Sequence, residues 1–514
     1  MTTTRTREQW GSRIGFILAA AGSAIGLGNI WRFPTEAGKN GGGLFVLLYV
    51  GCVLVLGLPI MLAEFSIGRS AQSNAVGSFR KLAPRTPWFA VGGMGVLAGF
   101  MILSFYAVVG GWILGYLVDS ARGALVAVSS QEALHDHFIY FAQDPASSIG
   151  YLLVFMALTV LIVYRGVSEG IERWSKILMP VLLVLLVLVI ARGLTMPGTA
   201  KGLEFLFVPR FEDFQPGTLA AALGQAFFSL SLGMGTMITY GSYLRRDQNL
   251  PTSTLQVVGL DTMIALMAGL AIFPAFYAVN QALSFSEAPG GMGLIFEAFP
   301  QIFLEMFGQN ALLAQVFGVA FFLLVLIAAL TSSISLLEVV TAYFVDERGW
   351  ARRKAAVTMG AIIFLIGVPS ALSNENPEAS FTVLGQSFFN LISTISNEYM
   401  LPIGGLLIAV FVAWKWGRAR SLAHIREGGG RFRLGALWLV ILRWIAPLII
   451  LQIIILRVLN DLAGNEVLVL PQATVEGLQW AFTAVDAVLL LCALAGGAFL
   501  WFRKPPGAAP PGEQ

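Results

Sequence analysis

Apolar residues are gathered into twelve long stretches, and polar residues are largely confined to the connections between them. A helix crosses the hydrocarbon core of a bilayer with about 20 predominantly apolar residues, or somewhat more when it is tilted. We therefore predict twelve membrane-spanning helices, near residues 11–38, 42–70, 88–122, 148–165, 170–192, 217–245, 252–283, 310–345, 353–371, 381–416, 434–459 and 475–502.

The composition supports a lipid environment. Hydrophobic residues make up 57% of the chain and charged residues only 12%, whereas a soluble domain carries about 25% charged residues. So few charges cannot cover a water-facing surface of this size. The chain is thus expected to be an all-α polytopic membrane protein embedded in the lipid bilayer, with no nucleic-acid partner; its oligomeric state is not indicated.

Lys and Arg are dense in every second connection. Cytoplasmic connections carry an excess of basic residues. One alternate set is rich in them: Arg7 and Arg13, Arg80 and Lys81, Arg165 and Arg173, Arg245 and Arg246, Arg352 and Arg353, and Arg418 and Arg420. The opposite connections are sparser in basic residues and more acidic. With an even number of spans, this predicts a multi-pass protein of the cell (inner) membrane with both termini in the cytoplasm.

Paired glycines interrupt the first and sixth stretches, at Gly26-Leu27-Gly28 and Gly233-Met234-Gly235. Glycine interruptions at matching positions of two halves indicate inverted repeats and a binding site near the membrane midplane; close helix packing is the alternative explanation. We predict a ten-helix transport core over residues 1–416, with repeats of about 11–192 and 217–416. Two peripheral helices (434–503) and a disordered cytoplasmic tail (504–514) would follow.

A helix that unwinds inside the bilayer leaves backbone groups that lipid cannot satisfy. Half-helix N-termini attract carboxylates, and C-terminal carbonyls attract cations. The two breaks therefore suit a zwitterionic solute together with sodium ions.

Three runs of sequence resemble the neurotransmitter:sodium symporter family. They are Trp10 to Arg69, with Gly28-Asn29-Ile30-Trp31-Arg32-Phe33-Pro34 inside it, Phe227 to Tyr243, and Ala328 to Ser333. The resemblance implies a LeuT-type five-plus-five inverted repeat with discontinuous helices 1 and 6 and about twelve transmembrane helices. The Gly-Met-Gly feature is shared with a bacterial member that transports multiple hydrophobic amino acids.

The resemblance also implies one or two bound Na+ ions. One site would use the carbonyls of Gly22, Ile25 and Ala328 and the hydroxyls of Thr331 and Ser332. The other would use the Ala24 carbonyl, the Asn29 amide oxygen, Ser229 and Asp261, completed by the substrate carboxylate. Ordinary interhelical hydrogen bonding remains an alternative role for the hydroxyls near Thr331.

Asp261 is a charged residue within the seventh apolar stretch. Because a charge inside the membrane is energetically costly, its presence indicates a functional role. Animal members of the family balance charge at this site with a bound chloride ion, and some bacterial members do so with a nearby glutamate. At the position of that glutamate this chain has Ala265. We therefore expect the fixed negative charge on Asp261 and chloride-independent transport. A structural aspartate that is paired elsewhere is the alternative.

By the same resemblance, the substrate carboxylate would meet the amides of Leu27 and Gly28 and the Tyr106 hydroxyl. The ammonium would meet the carbonyls of Ala24, Phe228 and Ser229 and the Ser231 hydroxyl. The side-chain pocket would be apolar, formed by Ile102, Phe228, Met234, Ser332 and Leu336. Met234 replaces a bulky aromatic residue of leucine-preferring relatives, and a methionine adapts to irregular shapes.

Gates are expected on both sides of this site. Arg32, Phe33 and Phe228 match the outer gate, but the aspartate that usually faces the arginine is Met400 here, so either Glu398 replaces it or water mediates the contact. Arg7 with Asp346, together with Trp10 and Tyr243, match the cytoplasmic gate. Gly170 and Pro180 match a motif that permits unwinding of the fifth span, with a simple proline kink as the alternative.

The predicted function is sodium-coupled import of neutral hydrophobic, including aromatic, L-amino acids by alternating access. One alternative is a sodium-linked transporter of a carboxylate-free solute such as indole, and another is a channel or substrate sensor on the same fold. No nucleophile–base pair marks the midplane, so we do not expect an enzyme. We expect His135-Asp136-His137 to lie in a solvated extracellular loop rather than to bind metal.

Overall fold

The computed structural model describes residues 7–128, 130–279, 285, 291–307, 310–373, 381–383, 386–428, 432–464 and 472–502. The predicted cytoplasmic tail, 504–514, lies outside these residues. Elements are numbered below in chain order.

Long helices dominate the described chain. Ten of them are apolar and long enough to cross a membrane, and a bent pair makes an eleventh span. The bent pair is α1 (Arg13–Ala24) and α2 (Gly28–Lys39). The ten are α3 (Gly43–Ala71), α5 (Phe89–Arg122), α7 (Pro145–Tyr164), α8 (Val167–Leu194), α12 (Leu250–Val279), α14 (Ala311–Arg348), α15 (Arg352–Ala371), α16 (Phe388–Trp416), α18 (Gly435–Asp461) and α19 (Gln472–Phe502).

The sixth predicted span is formed by two pieces, α10 (Pro216–Ser229) and α11 (Thr236–Gly241), each too short to cross a membrane alone. Between them the backbone of Ser231, Gly233 and Gly235 has φ of 52°, 81° and 74°. These left-handed conformations cannot continue a right-handed helix, and two of the three are supplied by glycine. The break predicted from the glycine pair is therefore confirmed.

The first span is broken in a different way. Ser12 caps α1 by accepting a hydrogen bond from the Gly15 N–H, and α1 ends where Ile25 adopts an extended conformation. The chain turns by 52° before α2 begins at Gly28 with a π-helical turn.

Five short α-helices of the described chain lie between the spans and were not predicted: α4 (Ala75–Leu82), α6 (Gln131–Gln143), α9 (Thr199–Phe207), α13 (Phe299–Met306) and α17 (Arg418–Arg426). A small antiparallel pair, β1 (Thr382–Val383) and β2 (Gln386–Ser387), precedes α16, with Thr382 opposite Ser387.

The prediction of a loop at His135-Asp136-His137 is wrong, although His135 and Asp136 are exposed to solvent as predicted. The run lies within α6, which begins with Ser130 as its N-cap. His135 faces Glu297 at 3.2 Å and His137 faces Asp119 at 3.2 Å. The apolar face of α6 holds it against the protein, because Leu134, Phe138 and Phe141 are buried.

Burial separates central from peripheral spans. In α5, 78% of the most apolar segment is buried inside the protein, whereas in α19 only 22% of the corresponding segment is buried. α5 packs against α14, and α1 packs against α8, α12 and α14. The broken spans are therefore enclosed by long helices, while α19 lies at the outside against α3, α10 and α18.

Candidate binding site at the helix breaks

A small cavity of about 30 Å³ lies between the two helix breaks. Ten of the eleven predicted substrate residues line it: Ala24, Leu27, Gly28, Ile102, Tyr106, Phe228, Ser231, Met234, Ser332 and Leu336. The eleventh, Ser229, lies on the far side of the break beside Asp261. A cavity this small holds no more than a few water molecules, so a larger ligand requires the walls to move.

Backbone polar groups and hydroxyls meet at one side of this cavity. The Leu27 N–H donates to the Tyr106 hydroxyl at 3.2 Å, and the Ser231 and Ser332 hydroxyls donate to the Ser23 carbonyl at 3.0 and 3.2 Å. A Cβ on Gly26 would lie 2.4 Å from the Ser332 hydroxyl oxygen. Glycine at this position therefore keeps the polar side of the cavity open.

The other walls of the cavity are apolar. Ile102, Phe228, Met234 and Leu336 contribute side chains, and no charged residue is among its lining residues. Two lining serines, Ser23 and Ser335, were not predicted; their hydroxyls are 2.7 Å apart. Ser335 follows Ser332 by one helical turn, and that spacing was the signal available in the sequence.

The residues predicted for one sodium site come together at the end of α1. The Thr331 hydroxyl lies 3.0 Å from the Ala328 carbonyl and 3.4 Å from the Ile25 carbonyl, and the Ser332 hydroxyl lies 3.4 Å from the latter. A Cβ on Gly22 would be 3.4 Å from Thr331 Cβ. Carbonyl and hydroxyl oxygens are therefore concentrated where a hard cation could be held.

The second predicted set surrounds Asp261, which is fully buried. Its carboxylate accepts from the Ser229 hydroxyl and the Asn29 amide nitrogen, each at 2.8 Å. The Asn29 amide oxygen instead accepts from the Gly26 N–H at 3.1 Å. In this orientation the Asn29 amide oxygen points away from the Asp261 carboxylate. Its predicted role as a cation ligand therefore requires the amide group to flip.

No basic side chain in the described part of the chain forms an ion pair with Asp261, whose partners are the neutral groups of Asn29, Ser229 and Tyr49. A buried carboxylate surrounded by neutral groups is a strong attractor for a cation.

A larger cavity of about 350 Å³, called the vestibule below, opens on the other side of Phe228. Its lining includes Arg32, Phe228, Glu398, Arg457 and Gln479. The Arg32 guanidinium stacks over the Phe228 ring at 4.8 Å and lies 3.9 Å from the Glu398 carboxylate. Glu398 therefore lies opposite Arg32, and the Phe228 ring lies between the vestibule and the smaller cavity.

The opposite side of the site is closed by several interactions. Arg7 forms an ion pair with Asp346 and stacks over Tyr243 at 4.6 Å. The Trp10 indole donates to the Tyr240 carbonyl at 3.0 Å. The gate residues predicted on this side are thus assembled.

Two charged residues of this closure, Glu338 and Arg352, were not predicted as gate residues. Glu338 is fully buried, pairs with Arg352, and accepts from the Tyr243 hydroxyl at 2.5 Å. An acid within an otherwise apolar stretch was the available signal.

Gly170 and Pro180 lie in a helix that is wound throughout, because α8 runs unbroken from Val167 to Leu194. Its Glu172 side chain is nearly buried and contacts the start of α1, accepting from the Gly11 N–H at 2.6 Å and the Ser12 hydroxyl at 2.8 Å. Unwinding between Gly170 and Pro180 stays a prediction.

Comparison with known proteins gives consistent matches along the chain. The profile of the Sodium:neurotransmitter symporter family matches residues 7–138 and 142–500. A sodium-dependent transporter of Bacillus subtilis (strain 168), YhdH, is 42% identical over 446 residues, covering 86% of this chain and 96% of that protein. A sodium-dependent transporter of Haemophilus influenzae is 32% identical over 465 residues, covering 88% of this chain and 99% of that protein.

Among solved structures, the crystal structure of MhsT in complex with L-phenylalanine is similar to this chain, with 47% identity and a TM-score of 0.79. The match covers 87% of this chain and 99% of MhsT. Sequence and structure agree over most of the length, so the likeness concerns the whole molecule rather than one shared segment. The chain therefore belongs to the sodium:neurotransmitter symporter family and is a sodium-dependent membrane transporter with the LeuT-type fold.

Proposed function

We propose that the protein is a symporter that couples sodium entry to the import of neutral hydrophobic L-amino acids, including aromatic ones. The observation that carries this proposal is the two-sided cavity between the helix breaks. One side offers backbone groups and the hydroxyls of Tyr106 and Ser231, which suit a carboxylate and an ammonium. The other side is apolar and holds no charged group for a polar side chain. The bound phenylalanine of the similar MhsT structure belongs to the same chemical class.

Binding of such a substrate requires Phe228 and Met234 to move, because a cavity of about 30 Å³ is too small for a hydrophobic amino acid. Phe228 borders both the cavity and the vestibule, so its ring swings toward the vestibule to admit substrate and returns to enclose it. Met234 is unbranched and adapts its shape to the side chain that enters. These two residues would therefore set the size of the accepted amino acid.

Sodium would bind at the two oxygen clusters of the site. At Asp261 the cation compensates a buried negative charge, and the substrate carboxylate supplies a further oxygen, which couples ion and substrate binding. At Thr331 and Ser332 the cation would join α14 to the end of α1. The sodium gradient then favours the loaded state from one side, and the membrane potential contributes about 2.3 kcal/mol per charge per 100 mV.

The proposed orientation places the vestibule outside the cell and the Arg7–Asp346 closure in the cytoplasm. The basic connections Arg80–Lys81 and Arg352–Arg353 lie on the side of this closure, as Glu347 pairs with Arg80 and Glu338 with Arg352. An excess of positive charge marks the cytoplasmic side. Both termini would then be cytoplasmic in the cell (inner) membrane.

Transport is proposed to be independent of chloride, because Asp261 already supplies a fixed negative charge. Its carboxylate lies beside Ser229 and Asn29, and Tyr49 is 3.4 Å from the Ser229 hydroxyl. A chloride ion added at this point would repel the carboxylate.

A thermal-shift screen of the purified protein tests the proposal, using neutral amino acids, indole and simple amines in sodium and in potassium. We expect stabilisation by phenylalanine, tryptophan or leucine only in sodium, followed by uptake into proteoliposomes that is equal in chloride and gluconate. The Tyr106→Phe variant should lose amino-acid affinity at least tenfold, because it removes one hydroxyl at the carboxylate position. Sodium-dependent binding of indole alone, unchanged in Tyr106→Phe, would reject the amino-acid assignment. Binding without flux would indicate a sensor.

A further inference from the structure

Another buried carboxyl group lies in a membrane span, far along the chain from the transport site. Asp486 stands near the middle of α19 and is 5% exposed. Ionisable side chains at this depth are costly, and each is a functional hypothesis by default. α19 packs against α10, the outer half of the broken sixth span. α19 therefore adjoins the helix that carries Phe228.

The immediate partner of Asp486 is the amide of Gln452 on α18. With its nitrogen turned toward α19, this amide donates to both carboxylate oxygens. With its oxygen turned toward α19, the same amide accepts a hydrogen bond from a protonated carboxyl. Gln452 can thus satisfy Asp486 in either protonation state without any movement of the helices.

No described basic residue on the elements around α19 pairs with this carboxyl. Arg457 pairs with Asp461 at 3.3 Å, and Arg443 stacks over Trp414 at 4.1 Å. The titratable groups on α3 are Tyr49, Cys52, Glu64 and Arg69. Of these, the buried Cys52 thiol lies close enough to interact electrostatically with Asp486. A proton is the occupant that neutralises this carboxyl within a shell of neutral groups.

A polar stripe on α19 links Asp486 to the vestibule. Gln479, Thr483 and Asp486 follow the i, i+4, i+7 spacing of one helix face, and Gln479 lines the vestibule. At 1.5 Å per residue, Asp486 lies about 10 Å below Gln479. On α18, Gln452 is one turn from Leu456, which also lines the vestibule. A polar face of α19 therefore leads from the vestibule toward Asp486.

We propose that Asp486 is a proton-binding site that exchanges protons with the vestibule and so responds to the pH on that side of the membrane. The step is a simple transfer: a hydronium ion gives its proton to a carboxylate oxygen, water is released, and the Gln452 amide turns to accept from the new O–H. The proton removes the charge of Asp486 from the contact of α19 with α18 and α3. That the vestibule side is extracellular rests on the orientation proposed above.

Infrared difference spectroscopy of the full-length protein in proteoliposomes of defined orientation tests this proposal without a transport assay. Stepping the pH on the vestibule side should produce the C=O band of a buried carboxylic acid. The band should disappear in Asp486→Asn and persist in Glu305→Gln, a matched change at an exposed acid. A band that persists in Asp486→Asn, or that follows only the pH on the opposite side, would overturn the proposal, as would the absence of any such band.

A second variant keeps the test independent of how well Asp486→Asn folds. Gln452→Met retains the carboxyl but removes the donor to its ionised form, and a hydrogen bond to a charged group contributes about 1.5–3 kcal/mol. The midpoint of the band should move to higher pH by about 1 to 2 units. An unchanged midpoint would show that Gln452 and Asp486 do not act together. Because this readout needs neither substrate nor sodium, its failure is distinguishable from failure of the proposed transport function.

Discussion

Replacing Asp261 with asparagine removes the one charged group of the candidate ion site while keeping its shape. The carboxylate is fully buried and lies 2.8 Å from both Asn29 and Ser229. A cation among these groups would lie within about 4 Å of the carboxylate, where two unit charges attract by about 4 kcal/mol at an effective dielectric constant of 20. The amide oxygen of asparagine recovers part of this attraction. We therefore expect a net loss of about 2–3 kcal/mol, which is a 30- to 150-fold weaker sodium affinity.

Sodium titrations of the purified variant, followed by thermal shift with and without phenylalanine, measure this change. Asp136→Asn is the matched control, because Asp136 is an exposed acid on α6; its sodium affinity should equal that of the unmodified protein. We also expect chloride to stimulate Asp261→Asn, since the fixed charge is then missing. A sodium affinity within threefold of the original would refute the assignment of Asp261 to a cation site.

Three further predictions concern other parts of the molecule. Glu172→Gln should destabilise the start of α1 by about 2 kcal/mol, because the charged acceptor of the Gly11 and Ser12 hydrogen bonds is lost. Amide hydrogen exchange over residues 12–24 should accelerate about 30-fold, and an unchanged exchange rate would contradict this role of Glu172. Met234→Phe should narrow the cavity and weaken tryptophan at least tenfold more than alanine in competition assays, whereas equal losses would argue against a role in size selection. Burial, together with the nearby Arg69 guanidinium, lowers the pKa of His424 to about 3. In the unfolded chain, where the histidine pKa is about 6.5, this side chain binds a proton below that pH, whereas in the folded protein it stays neutral. The free energy of unfolding therefore falls as pH drops below about 6.5. Between pH 6.5 and pH 5 the loss is about 2 kcal/mol, measurable as a lower Tm that His424→Asn should not show.

The sequence predicted the spans well because a lipid environment imposes a simple rule of length and polarity. The break at Gly233 and Gly235 was predictable for the same reason, as left-handed backbone requires glycine. The conformation of Ser231 was not, because φ of 52° at a serine depends on its neighbours.

The sequence was insufficient where tertiary contacts decide the structure. α6 could not be recognised from His135 and His137, because its apolar face is short and its polar face is paired with acids from distant segments. The orientation of the Asn29 amide depends on the Gly26 N–H, which becomes available only when α1 breaks. The pairing of Arg32 with Glu398 was left open between two alternatives, and only the spatial arrangement distinguishes them.

The barriers on the two sides of the candidate site are unequal. Toward the vestibule stand one aromatic ring and the 3.9 Å contact between Arg32 and Glu398. Toward the other side, Arg7–Asp346 and the buried Arg352–Glu338 pair must both separate. A captured substrate molecule would therefore return to the vestibule many times before it is carried across. Forward commitment is then low, and the KM for uptake should lie close to the equilibrium Kd.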